Sequence, residues 1–377
     1  MSKLNYQKPI LTCPSTNITP IITIVGENCN IKCDYCFFHH KNQVQKEIMS
    51  IDVLDLFITQ YLELFDGEVG FFWHGGEPLL AGIDFFNHIV RIQEERKKGS
   101  HKIHNSVQTN GTLITDEWAS FFKKHNWGVG VSLDGVEECH NKFRKDNAGI
   151  GTYHKVITAI NLLRTHGVTP GILQTIQKSS LKYIKDNFNF LIEDLKLKFW
   201  GMNIYDDVAG LNDILTDESL SNDDYFYLYK TYFDLWLDKG DSELVIREVD
   251  ALTFGLLGRM SRSCTNSGTC TSFMTVNWDG TVTPACERLV SQCSDIAKSI
   301  KDEHLINIIN DKKRIEFASK VNSLPEECNI CEWKKFCYNG CSSIRLGGVQ
   351  GKYVYCEGQK RILSYLKKRL KEYNISH

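Results

Sequence analysis

The chain has 377 residues, 42% of them hydrophobic and 24% charged, enough to bury a large core and to hold a big domain with a smaller one. Its formal net charge of −2 gives no overall electrostatic case for nucleic acid or for an anionic membrane surface as partner. The opening residues, MSKLNYQKPILTCPS, lack the apolar run of a secretion signal, and no stretch approaches the roughly 20 apolar residues that span a bilayer, so the expected compartment is the cytoplasm.

From residue 21 to 240 one theme repeats: a short β-rich run closed by polar residues or glycine, followed by an amphipathic helical stretch. Strands are expected over 21–25, 69–73, 105–108, 128–132, 169–174 and 199–204. Helices are expected near 51–65, 83–98, 115–125, 152–166, 180–193 and 218–238, with Ser50 and Thr115 as N-caps. Six such units imply an α/β fold with a parallel sheet and right-handed crossovers, a partial (β/α)6 barrel rather than a closed eightfold one. Reactive groups in these folds gather on loops after the C-terminal ends of strands. Those loops here carry three cysteines, then HGGEP, QTNG and SLDG. The acidic, weakly periodic stretch 205–224 reads as a plain surface loop or as a cover over that end.

After about 245 the alternation stops, so the barrel is assigned to 1–245 and a smaller, cysteine-rich domain to 246–377. A β-hairpin is expected there over 275–278 and 281–283, turning at Asp279-Gly280. Few long apolar stretches remain, so the folding of this domain is expected to depend on what its cysteines bind. The basic helix at 358–372 reads as a solvated face.

Fourteen cysteines in a reducing compartment point to metal or cluster ligation rather than to disulfides. Cys13, Cys139 and Cys293 stand alone and read as small buried apolar residues. Cys29, Cys33 and Cys36 put three soft thiolates on one loop. Three ligands leave one iron of a [4Fe–4S] cluster open, the distinction that also separates catalytic from structural zinc. The alternative is a zinc knuckle completed by His39 or His40.

This CxxxCxxC loop, with Tyr35 just before its last cysteine, resembles that of the radical S-adenosylmethionine (SAM) superfamily. The stretch 74–78, HGGEP, is similar to the family's GGEP element, which implies that Gly75, Gly76 and Glu77 contact the methionine amino group. Glycines allow close main-chain approach to a ligand, and Pro78 stiffens the exit. Ser132 in VSLDG and Arg144 in NKFRKD fall where the family presents groups to the methionine carboxylate. The resemblance covers residues 20–240. It implies SAM as cofactor, an external electron donor of flavodoxin or ferredoxin type, and release of methionine and a 5′-deoxyadenosyl radical that takes a substrate hydrogen.

Cys328-x2-Cys331-x5-Cys337-x3-Cys341, with Cys264-x5-Cys270 and Cys286 upstream and Cys356 downstream, resembles the SPASM extension of peptide- and protein-modifying radical enzymes. That resemblance implies two auxiliary [4Fe–4S] clusters, the nearer on Cys264, Cys270, Cys286 and Cys341 and the outer on Cys328, Cys331, Cys337 and Cys356. The residues alone also fit two zinc ribbons.

Two groups of SPASM enzymes come into question, the maturases of ribosomally made precursor peptides and the anaerobic sulfatase-maturating enzymes, which oxidise Cys or Ser to formylglycine. His74, Phe38 and Glu287 stand where the sulfatase group typically has Gln, Tyr and Asp. The stretches around HGGEP, QTNG and SLDG read more like maturases that join an aromatic side chain to a β-carbon, making a cyclophane. Cyclophane formation in a precursor peptide is therefore the favoured expectation, with formylglycine formation, epimerisation, thioether formation and a non-enzymatic zinc protein as alternatives. Glu287 is the expected catalytic base, with His74 as a substrate-positioning group; a surface Glu and a structural His are the plainer readings. Only about twenty residues precede the first strand, too few for a separate leader-binding domain.

Overall fold

The computed structural model describes residues 18–36, 38, 48–206, 216–258 and 263–373. Cys13, His39, His40 and the middle of the 205–224 stretch lie outside the described residues. Six strands form as expected, at Thr19–Thr23, Glu68–His74, Lys102–Thr109, Gly128–Ser132, Gly171–Ile176 and Phe199–Ile204. They lie side by side in that order and all parallel, as helix-containing connections between successive strands require. Val245–Ile246 adds a parallel strand beyond the sixth.

At the other edge the C-terminal hairpin joins the same sheet. Phe273–Asn277 lies parallel to the first strand, then Thr281–Thr283 and Lys298–Ser299 follow antiparallel. The turn is at Asp279-Gly280, where Gly280 has φ +89° and Asp279 Oδ1 accepts from the Thr281 N–H at 2.8 Å. The product is an open ten-stranded α/β sheet.

Alternation sets its buried face: along Glu68–His74, Val69, Phe71 and Trp73 are buried while Gly70 and Phe72 are half-covered. The helix Ile51–Leu64 starts where the Ser50 side chain accepts from the Val53 N–H. It lays Phe57 and Tyr61 edge-on against Phe71, at centroid distances of 6.3 and 5.1 Å. Residues of the cysteine-rich part, among them Leu305, Trp333, Tyr355 and Ile362, belong to this same continuous core. Cys356–Glu372 is helical and packs Ile362, Leu363, Leu366 and Leu370 inward, with Arg361, Lys367 and Lys368 exposed. No helix among the described residues is long and apolar enough to cross a membrane.

Two helices differ from expectation. The run expected as one helix over 180–193 is divided into a 3-10 turn at Lys178–Tyr183, an α-helix at Ile184–Asn189 and a π-turn at Phe190–Asp194. Asn187 inside it is tied to the SLDG turn, accepting from the Val136 N–H at 2.9 Å and donating to the Asp134 carbonyl at 3.4 Å. Tertiary bonds thus override a uniform helix. The helix expected from 218 starts at Asn222, because Ser221 and Asp224 form a capping box there.

Candidate active site

The 29–36 loop is fixed by main-chain bonds to its neighbours. Ile31–Cys33 pairs antiparallel with Arg144–Asp146, in a register that sets Cys33 opposite Arg144. The Asp34 N–H donates to the Phe143 carbonyl at 3.0 Å, and the Cys36 N–H to the Cys33 carbonyl at 3.1 Å. From the end of the second strand, the Gly76 N–H donates to the Gly26 carbonyl at 2.8 Å and the Glu77 N–H to the Asn28 carbonyl at 2.9 Å. A Cβ on Gly76 would stand 2.1 Å from the Asn28 oxygen. Gly76 is therefore required by contact with the cysteine loop itself, a reason additional to any approach to a ligand. Gly75 has φ +114°, which also favours glycine.

Glu77 is fully buried, its carboxylate accepting from the Leu79 N–H at 3.1 Å, Thr109 Oγ1 at 2.8 Å and the Asn110 N–H at 2.7 Å. Burial pushes its pKa up to about 7 despite these donors. Asn110, in the QTNG loop, donates to Asn30 Oδ1 at 2.9 Å and lies 3.7 Å from the Cys29 sulfur. Burial likewise raises the thiols, Cys29 to about 11 and Cys33 to about 12.

On the opposite side Asp134, fully buried in the SLDG turn, is the hub. Its Oδ2 accepts from Tyr35 Oη at 2.6 Å and Arg144 Nε at 2.9 Å, and its Oδ1 from the Thr175 N–H at 2.9 Å. Arg144 Nη1 reaches to 3.8 Å from the Cys33 sulfur. The guanidinium is thus committed to Asp134 through Nε, with Nη1 turned toward the thiol. Ser132 Oγ accepts from Gln108 Nε2 at 3.0 Å. Sequence reasoning missed Asp134, Asn110 and Asn187, although the first two sit inside quoted motifs.

Beside Tyr35 opens a cavity of about 320 Å³, lined by Phe143, Gln177, Tyr205 and Glu218 among others, at the ends of the fifth and sixth strands. Gln177 is fully buried, and neither polar atom of its side chain has a partner among the described residues.

His74, Phe38 and Glu287 meet in one place. His74 Nδ1 lies 2.8 Å from Glu287 Oε2, an ion-pair contact whose angles fall outside hydrogen-bond geometry. The Phe38 and His74 ring centroids are 6.4 Å apart. Burial disfavours charge on His74, but the Glu287 carboxylate outweighs it and raises the imidazole pKa.

The later cysteines separate into two groups. Cys286 and Cys270 share a hydrogen bond that lowers the Cys270 pKa and raises that of Cys286, and Cys264 and Cys341 lie close enough to act on both. Cys328, Cys331, Cys337 and Cys356 line one cavity. Arg288 reaches both oxygens of Asp206, at 2.5 Å each, and joins the end of the sixth strand to the first group. Among the described residues no three thiols stand at metal-ligand spacing, but one set of three soft thiols and two of four are the donor type that iron–sulfur clusters use.

A model described as "Radical SAM superfamily" matches residues 23–176. The chain is 32% identical over 363 residues to a cysteine-type anaerobic sulfatase-maturating enzyme of Clostridium perfringens, covering 93% of this chain and 96% of that one. To a serine-type anaerobic sulfatase-maturating enzyme of Bacteroides thetaiotaomicron it is 29% identical, covering 89% and 86%. A solved structure, native anSMEcpe with bound AdoMet and Kp18Cys peptide, superposes with a TM-score of 0.87 at 30% identity, covering 94% of this chain and 98% of that one. With such similarity running through nearly the whole of both chains, this chain is an enzyme of the radical SAM superfamily and belongs to the family that contains the anaerobic sulfatase-maturating enzymes.

Proposed function

We propose that the enzyme modifies a side chain within a polypeptide by removing a hydrogen atom from a β-carbon, and that its reaction is the oxidation of Cys or Ser to an aldehyde, as in sulfatase maturation. The observation that carries this reading is similarity to both the cysteine-type and the serine-type enzymes along almost their full length, reversing the preference for cyclophane formation drawn from the sequence.

In this reading Cys29, Cys33 and Cys36 hold the cluster that binds SAM. Cys264, Cys270, Cys286 and Cys341 hold the nearer auxiliary cluster, and Cys328, Cys331, Cys337 and Cys356 the outer. Loaded with SAM and given one electron by a flavodoxin- or ferredoxin-type donor, the first centre supplies a 5′-deoxyadenosyl radical. The turn at Gly75, Gly76 and Glu77 braces the cysteine loop, and Glu77, buried and without a salt-bridged cation among the described residues, favours an ammonium nearby. Ser132, at the end of the fourth strand, and Arg144, held by Asp134, are assigned to the methionine carboxylate. The adenosine end is assigned to the cavity beside Tyr35, where the unpartnered Gln177 amide offers both a donor and an acceptor. Glu287, with His74 against it, takes the substrate proton, and an auxiliary cluster held by the later cysteines would accept the electron released with it.

Cyclophane formation stands as a second reading on one specific observation. Of the three positions that depart from the sulfatase-maturating pattern, Phe38 and Glu287 each lie against His74, so the departures change one patch together. Mass spectrometry with an aldehyde-trapping hydrazide decides between them, using cysteine- and serine-containing sulfatase-motif peptides and an aromatic-rich precursor peptide. A trapped aldehyde is the expected result. Loss of two hydrogens from the precursor peptide with nothing trapped would put cross-linking in its place.

A further inference from the structure

Arg345 is only 4% exposed, and its guanidinium is held by backbone carbonyls. Nε donates to Asn339 at 3.0 Å, Nη1 to Val321 at 2.9 Å and Val349 at 2.6 Å, and Nη2 to Tyr338 at 3.3 Å. Tyr338 and Asn339, neither of them glycine, adopt φ +50° and +61°, and both turn a carbonyl toward this side chain. Left-handed backbone at two successive non-glycine residues is a conformational cost that the surrounding structure must offset.

Arg144 and Arg288 each have a carboxylate, Asp134 and Asp206. Among the described residues Arg345 has none. The ionisable groups that act on it are thiols: Cys270 and Cys341 from the nearer group, Cys328 and Cys337 from the outer. Carbonyl dipoles solvate a cation incompletely, and a buried ion without a countercharge is strongly disfavoured. The missing negative charge has to come from what the thiols become.

We infer that Arg345 is the shared countercharge of the two auxiliary clusters, placed between them so that one cation stabilises both and raises their readiness to accept an electron. This rests on the reading that both groups of cysteines hold [4Fe–4S] clusters. A [4Fe–4S]2+ core with four thiolates is a net dianion, and reduction adds a further negative charge. A fixed guanidinium in a site of low dielectric favours that more negative form and so raises the reduction potential. Arg345 touches no reacting atom; it is a positioning residue for charge.

The test is an anaerobic redox titration of the reconstituted holoenzyme, followed by electron paramagnetic resonance, for the parent, Arg345→Lys and Arg345→Gln, with iron and sulfide counted in each. Arg345→Gln is expected to change the reduced-to-oxidised ratio of the auxiliary clusters at least tenfold at fixed potential, 59 mV for a one-electron couple, toward the oxidised form. The SAM-binding cluster stays unmoved, and Arg345→Lys, which keeps the charge but not the fork, recovers most of the shift. Parent-like potentials in a fully loaded Gln variant, or a Lys variant shifted as far as Gln, would overturn the inference. A parent holding zinc, or only one cluster's worth of iron, would instead overturn the reading it rests on. Should Arg345→Gln fail to hold its iron, the unaltered holoenzyme carrying 15N-labelled arginine serves: Arg345 acts on the charge of Cys328, 15N coupling on the outer cluster's signal is the expected result, and its absence overturns the inference.

Discussion

The two cysteine regions of the molecule are held in different ways. The 26–36 segment is clamped from three sides by main-chain bonds, from the Gly75-Gly76-Glu77 turn, from the strand Arg144–Asp146 and from within the segment. The later cysteines lie on or beside short turns such as Cys264–Asn266, Cys270–Ser272 and Glu326–Asn329, separated by the strands Phe273–Asn277 and Thr281–Thr283 and the helix Lys312–Asn322. The first region is held in place by protein bonds alone. The second shares the main core and the sheet edge, but its cysteine-bearing turns are expected to gain order from what they bind.

The largest effect that can break this contrast comes from the cysteines themselves. Cys33→Ala is expected to abolish SAM cleavage, measured as 5′-deoxyadenosine released, while Cys331→Ala leaves cleavage intact and loses only the outer cluster's iron. Chelation should then speed hydrogen exchange through the turns at 264–272 and 326–356 and leave the amides of the parallel strands, Phe273–Asn277 included, protected; equal loss of protection in both would erase the difference.

Next comes the hub. Asp134→Asn leaves Arg144 a buried cation without its carboxylate, and breaking such a pair costs about 3–5 kcal/mol, read as a fall in the denaturant midpoint. Then follows His140, which lies beneath the same turn, accepting from the Asp134 N–H at 3.4 Å, and whose pKa burial pushes down to about 4. The unfolded chain's histidine titrates near 6.5, so its contribution is fully present above that pH. It is lost as pH falls toward 4, by up to about 3 kcal/mol. Denaturant midpoints at neutral and acidic pH should differ less in His140→Gln than in the parent. The smallest effect belongs to Gly76→Ala, whose overpacking against Asn28 costs about 1–3 kcal/mol; it should weaken SAM binding more than it lowers the melting temperature.

Much of this was legible in the sequence, for physical reasons. Strand and helix positions follow from local periodicity, and the Gly128–Ser132 and Phe199–Ile204 strands fall at the expected residues because their apolar runs end at sharp polar boundaries. The motif loops were legible because parallel strands deliver them to one end. What escaped notice depends on partners far apart in the chain. Asp134 draws on Tyr35, Arg144 and Thr175, Arg288 on Asp206, and Arg345 on four carbonyls, and no local pattern marks any of these. The reason for Gly76 was half visible: its sequence context marks a close approach but does not reveal that Asn28 is what it approaches. That Phe38, His74 and Glu287 share a patch could not be read from positions so widely separated in the chain.

The central claim is hydrogen removal from a β-carbon within a polypeptide, and isotope transfer tests it most directly. The reconstituted enzyme is given SAM, a reductant and a sulfatase-motif peptide deuterated only at the β-carbon of its Cys or Ser. The expected product is 5′-deoxyadenosine carrying one deuterium, formed in step with aldehyde. Peptide-dependent 5′-deoxyadenosine without deuterium, accompanied by a modified peptide that keeps its label, would contradict it.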